Sequence, residues 1–133
     1  MMKALIVDDA RLMRNIIKGI VAEEMKCIVI EAENGEEAVE KYKKHSPDLV
    51  TMDINLEGQN GVNAAKAILA YDCNANIVII TSIGQERLLE ECLAAGVRDF
   101  ILKPFTRERI RNTVGRMLKI DGFKTRQLVR QAL

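Results

Sequence analysis

The sequence predicts an α/β domain built as a doubly wound parallel sheet, and three observations carry that prediction. Five short apolar runs, at residues 4–7, 28–30, 49–52, 77–80 and 100–102, are β-branched-rich and mostly continuous rather than alternating. Strands buried on both faces read this way, whereas a sheet with one wet face alternates apolar with polar. A stripe of apolar residues at helical spacing follows each run, so strand and helix alternate five times over. Right-handed crossovers then lay the helices on both faces of one five-stranded sheet. A chain of 133 residues with 48% apolar side chains is enough for one domain with a real core.

The first run, Ala4 to Val7, precedes a helix whose apolar positions are Leu12, Ile16, Ile17, Ile20 and Val21. After the second run, Asn34 followed by Glu37 has the spacing of a capping box and opens the second helix; Pro47 closes that segment before the third run. His45, the only histidine, follows Lys43 and Lys44 at this helix end. A cation is favoured there, so His45 is expected to be a terminal cation rather than a ligand. Val62, Ala65, Ile68 and Leu69 form the third stripe. Leu88, Leu89, Cys92 and Leu93 form the fourth, stopped by Gly96 at a C′ position. Ile110, Val114, Met117 and Leu118 form the fifth. All five stripes are expected to face the core.

The domain is expected to span residues 1–119. Residues 120–133 are a tail, in which Leu128, Val129, Ala132 and Leu133 could line one face of a short helix beside Lys124, Arg126 and Arg130. Net charge is +1, but residues 107–133 hold eight Lys/Arg against two Asp/Glu, so the acidic excess lies with the body of the domain. The basic stretch is too short for a folded DNA-reading module and lacks interleaved aromatics, so no nucleic-acid partner is expected. No apolar run is long enough to span a membrane, and the start turns acidic too soon for a secretory signal, so the expected location is cytoplasmic. Cys27, Cys73 and Cys92 are odd in number and lack paired metal-ligand spacing; they are expected to be ordinary reduced thiols.

In open α/β sheets, ligands bind beyond the carboxyl ends of the strands. There the first run is followed by Asp8 and Asp9, and the third by Asp53, with Asn55 two residues on. The fourth ends at Thr81-Ser82 and the fifth is followed by Lys103-Pro104. Helix capping and turn formation explain any one of these residues. They do not explain three carboxylates, a hydroxyl and a lysine at one edge. Carboxylates about 4 Å apart repel by roughly 4 kcal/mol per pair at an effective dielectric near 20, so the cluster calls for a cation. A small set of oxygen ligands suits Mg²⁺, which keeps waters and shares its shell with phosphate oxygens. A carboxylate with one free oxygen can then be a nucleophile toward phosphorus.

Leu5-Ile6-Val7-Asp8-Asp9, Met52-Asp53-Ile54-Asn55, Thr81-Ser82 and Lys103-Pro104-Phe105, in this order and at strand ends, resemble the receiver domain of bacterial and archaeal response regulators, specifically its stand-alone chemotaxis type, CheY. The resemblance covers about residues 2–119. It implies the flavodoxin-like strand order 2-1-3-4-5 with five flanking helices, as known for CheY. It also implies that Asp53 is the phosphoacceptor, attacking a phosphohistidine of a partner histidine kinase. Asp9, Asp53 and the Asn55 carbonyl would bind Mg²⁺ directly and Asp8 through water. Thr81 and Lys103 would hold the phosphoryl group, and the Lys103–Pro104 bond would be cis. Phe100 would turn inward as Thr81 moves, presenting a changed face to a protein target such as the flagellar motor or a chemotaxis adaptor. A phosphorelay intermediate, or a regulator of a target outside chemotaxis, fits the same residues.

The sequence departs from the family at two places. Leu56-Glu57 stand where Met-Pro is usual, putting a carboxylate near the pocket mouth. Asn55 and Ile83 flank the path of a water that would remove the phosphoryl group, and an apolar Ile83 cannot orient it. Three rivals fit less well. An aspartyl-phosphate phosphatase places an Asp-x-Asp pair after one strand, but Asn55 follows Asp53. A flavodoxin-like cofactor binder needs a phosphate loop where Asp8-Asp9-Ala10 would repel phosphate. A degenerate scaffold would not keep all five pocket residues. The expected protein is therefore a switch and not an enzyme acting on other molecules.

Overall fold

The computed structural model describes residues 2–56, 59–82 and 84–118, with the backbone alone for 59 and 60. Glu57, Ile83 and the 120–133 tail, on which the sequence raised expectations, lie outside the described residues. The elements in order are β1 (Lys3–Val7), α1 (Arg11–Met25), β2 (Ile28–Ala32), α2 (Gly35–His45), β3 (Leu49–Met52), β4 (Asn55–Leu56), β5 (Gln59–Asn60), α3 (Gly61–Tyr71), β6 (Ile77–Ser82), α4 (Glu86–Ala95), β7 (Asp99–Lys103) and α5 (Arg107–Leu118).

Five strands form one parallel sheet in the order β2-β1-β3-β6-β7, which is 2-1-3-4-5 when the sheet strands alone are counted. The sequence did not predict β4 and β5, a separate antiparallel pair joining Asn55 to Asn60 and Leu56 to Gln59. Two-residue strands carry no apolar period to read.

The continuous runs are buried on both faces, as their composition requires. Ala4, Ile6, Leu49, Val78, Ile80 and Ile101 pack with α1 and α5. Leu5, Val7, Val50, Met52, Ile77 and Ile79 pack with α2, α3 and α4 on the other side. Asn34 caps α2 as expected, its side chain accepting from the Glu37 amide at 2.8 Å. Gly96 ends α4 with φ +119°, a conformation that glycine adopts without strain.

Two of the apolar stripes are narrower than expected. Leu12 is 73% exposed and Ile16 is also exposed, so the buried face of α1 runs through Arg14, Ile17, Ile20 and Val21 instead. On α4 only Cys92 is buried; Leu88 and Leu89 are partly covered and Leu93 is 40% exposed. A helix lying on a sheet turns about a third of its circumference inward, and stripes broader than that leave their margins in water. Among the described residues no helix is long and apolar enough to cross a membrane. The three thiols are free; burial pushes that of Cys92 up to about 11 and also raises that of Cys27, so neither is a thiolate near neutrality.

Candidate functional site

Parallel topology puts the carboxyl ends of β1, β3, β6 and β7 at one edge of the sheet. Asp8 and Asp9 follow β1, Asp53 follows β3, Thr81 is the next-to-last residue of β6 and Lys103 ends β7. One carboxylate oxygen from each of Asp8, Asp9 and Asp53 lies within 4.8 Å of the others. At that range each pair of charges repels by about 3–4 kcal/mol at an effective dielectric near 20. Lys103 Nζ bridges two of them, donating to Asp8 Oδ2 at 3.3 Å and to Asp53 Oδ2 at 3.2 Å. Lys103 thus offsets only part of the charge that three carboxylates bring to this edge, and an all-oxygen cluster of this kind suits a divalent cation.

Asp8 is 1% exposed and held from several sides. Its amide donates to the Ala32 carbonyl at 3.2 Å, and its Oδ1 accepts from the Ala10 amide at 2.9 Å. Asp53 is 7% exposed. Its amide donates to the Val7 carbonyl at 3.0 Å, and its Oδ1 accepts from the Asn55 amide at 3.0 Å. Burial lifts the Asp53 carboxyl above its ordinary value; the Asn55 amide and Lys103 pull against this, and the charge of Asp8 adds to it. The ionised form therefore costs the fold stability at neutral pH. That cost fades as pH falls through the raised value and is gone below the unfolded-state value. Asp53→Asn is expected to unfold at a higher urea concentration than wild type at neutral pH, with the two midpoints converging in acid. Equal midpoints at neutral pH would contradict this reading.

The Thr81 hydroxyl is buried and has no hydrogen-bond partner among the described residues, and the same holds for Thr51 within β3 and Thr113 within α5. Leaving such a group unpaired costs about 1–3 kcal/mol. Thr81 is the one of the three at the strand edge, where an arriving anionic oxygen would satisfy it. Asn55 is exposed in β4. Phe100 is partly buried against the α2–α3–α4 side of the core, opposite Ile79 in the β6–β7 register, and faces the same side of the sheet as Thr81. The Lys103–Pro104 bond is cis. His45 closes α2, as expected, with Lys43 and Lys44 in the same turn.

The edge thus gathers Asp8, Asp9, Asp53 and Lys103 directly. Two neighbours were missed in the sequence. Arg14, buried on α1, donates from Nη1 to the Asp8 carbonyl at 2.8 Å. Gly61, at the start of α3, donates its amide to the Ile54 carbonyl at 2.8 Å. Arg14 had a signal, since it shares the helical spacing of Ile17 and Val21; Gly61 had none beyond being a glycine after a loop.

The receiver domain of response regulators, taken as a sequence family, matches residues 4–115. The chain belongs to this family. The receiver is 45% identical over 116 residues to a chemotaxis protein CheY of Bacillus subtilis, covering 87% of this chain and 97% of that protein. It is 41% identical over 116 residues to a chemotaxis protein CheY of Halobacterium salinarum, covering 87% and 96%. Among solved structures, it is similar to a CheX–CheY–BeF₃–Mg²⁺ complex from Borrelia burgdorferi, at 34% identity and a TM-score of 0.79, covering 86% of this receiver and 87% of that chain.

Proposed function

We propose that this receiver takes a phosphoryl group from the phosphohistidine of a histidine kinase onto Asp53 and, so modified, binds a protein target, with chemotaxis as the signalling context. The observation that carries this is the single lysine joining Asp8 and Asp53 inside a three-carboxylate cluster. Lys103 stands on the oxygen of Asp53 that is not already held by the Asn55 amide. It is thus placed to follow a phosphoryl oxygen added there.

The donor set fits Mg²⁺: three clustered carboxylates offering oxygen ligands, with a buried hydroxyl nearby that has no partner among the described residues. Asp9, Asp53 and the Asn55 carbonyl would hold it, with Asp8 acting through water. Bound there, Mg²⁺ supplies positive charge that offsets the carboxylates and the transferring phosphoryl oxygens. Asp53 Oδ attacks phosphorus, an O–P bond forms, and the P–N bond of the phosphohistidine breaks with its electron pair leaving on the imidazole. Lys103 pairs with a phosphoryl oxygen, and the Thr81 hydroxyl donates to another. The product adds about −1.5 to −2 charges to an acidic pocket, and that charge draws Thr81 and Lys103 inward. Phe100, on the same side of the sheet, follows into the space Thr81 leaves, which reshapes the outer surface of α4 and β7.

The relatives' names support chemotaxis, and the Borrelia complex supports a protein partner for a CheY carrying BeF₃ and Mg²⁺. A flagellar motor component or chemotaxis adaptor is the proposed target, and a cytoplasmic location follows from such partners. Incubation with a small acyl-phosphate donor, read by intact mass, tests the proposal. Wild type with Mg²⁺ is expected to gain one phosphoryl adduct, and Asp53→Asn or wild type without metal none. An adduct of equal yield on Asp53→Asn would overturn Asp53 as the acceptor.

A further inference from the structure

Arg14 sits in the first turns of α1 and is 8% exposed, which is unusual for a charged side chain unless it is fully engaged. Its Nε donates to Glu31 Oε1 on β2 at 3.1 Å, and its Nη1 to the backbone oxygen of Asp8 at 2.8 Å. Glu31 is itself held, with Lys18 Nζ at 3.6 Å from Oε2 and Lys41 donating to its carbonyl. Pairing of β1 with β2 and β3 ends at Val7, so the carbonyl of Asp8 lies one residue beyond the ladder. Arg14 supplies the bond that the sheet no longer gives. A peptide group is planar, so fixing this oxygen also fixes the amide and Cα of Asp9. Arg14 thereby restrains the peptide that carries Asp9.

We infer that Arg14, anchored by Glu31, is a positioning residue for the Asp8–Asp9 pair, and acts on metal binding through geometry rather than through its charge. This rests on the Mg²⁺ reading of the site. The two modes of action differ in sign. A cation beside three carboxylates competes with Mg²⁺, so if charge were what mattered, removing Arg14 would tighten metal binding and Arg14→Lys would leave it unchanged. If the guanidinium fork aligns the peptide, both substitutions loosen the metal, because lysine cannot hold Glu31 and the Asp8 carbonyl in one fixed plane. Groups that orient metal ligands typically govern affinity by roughly 10–100-fold.

Calorimetric titration of the full chain with Mg²⁺ tests this, with far-UV circular dichroism to confirm the fold. Arg14→Lys and Arg14→Gln are each expected to weaken Mg²⁺ binding roughly tenfold. Lys66→Gln, which breaks a surface pair with Glu91 outside this network, should leave it unchanged. Phosphorylation of Arg14→Lys should need more Mg²⁺ for half-maximal rate and reach the wild-type rate at saturation. Wild-type affinity in Arg14→Lys, or tighter binding in Arg14→Gln, overturns the inference. Should the Arg14 variants not fold, Glu31→Gln, which leaves Arg14 in place with a weaker anchor, is expected to lose affinity, and unchanged affinity there overturns it equally. A wild type that binds no Mg²⁺ sinks the reading of the site itself, whereas a wild type that binds with all variants alike sinks only the role of Arg14.

Discussion

Gly61→Ala is expected to cost about 3 kcal/mol of stability and to slow phosphorylation as well. A Cβ at Gly61 would lie 2.2 Å from the Asp53 carbonyl oxygen, 3.0 Å from Ile54 Cα and 3.1 Å from the Asp53 carbonyl carbon. All three are backbone atoms, so no side chain can swing away to make room. The 53–54 backbone must move, stretching the bond from the Gly61 amide to Ile54 and carrying the Asp53 side chain with it. Gly19, in α1, provides the contrast. Nothing lies within 4 Å of a Cβ built there, and Gly19→Ala should stabilise by about 0.4–1 kcal/mol with no change in phosphorylation. Urea unfolding and the rate of adduct formation measure both. Wild-type values of both for Gly61→Ala would show that the approach of α3 to β3 does not set the position of Asp53.

Lys103→Met is expected to lower metal-free stability by about 2 kcal/mol and the phosphorylation rate by about a hundredfold. The lysine is partly exposed, which keeps the stability loss below that of a fully buried pair. Without it, Asp8 and Asp53 lose their shared cation, and the Asp53 carboxyl, already above its ordinary value, rises further. The sign follows from linkage. The extra cost exists where Asp53 is ionised, at neutral pH, and vanishes as pH falls through its folded-state value. Mg²⁺ should bind Lys103→Met more tightly than wild type and close most of the stability gap. Urea midpoints in chelator and in Mg²⁺ decide the matter: identical midpoints in chelator, or a gap that Mg²⁺ leaves open, would show that Lys103 does not neutralise this pocket at rest.

The sheet was legible in the sequence because strands buried on both faces must be apolar throughout, and Leu49–Met52 or residues 77–80 have no polar alternation to confuse the reading. Asp8, Asp9, Asp53 and Lys103 were legible by position, since parallel topology sends every strand end to the same edge. The margins of the helices were not. Leu12 and Ile16 fit the helical period as well as Ile17 does, but periodicity does not say how wide a face the sheet will cover. Arg14 was passed over for a related reason: a charge on a helix reads as solvated until a partner on another element, here Glu31 of β2, draws it inward. The demand on Gly61 depends on how closely α3 approaches β3, a distance the chain's local pattern does not encode.

Lys103 meets Asp8 across 95 residues of chain and Asp53 across 50. During synthesis from the N-terminus, both carboxylates emerge long before the side chain that joins them. The fragment ending before β7 has Asp8, Asp9 and Asp53 but not the lysine that joins two of them. If Asp53 accepts the phosphoryl group as proposed, a chain cut before β7 is expected to take it up far more slowly than one that carries Lys103. The contact that quiets the resting pocket also serves as the receiver's proof of assembly.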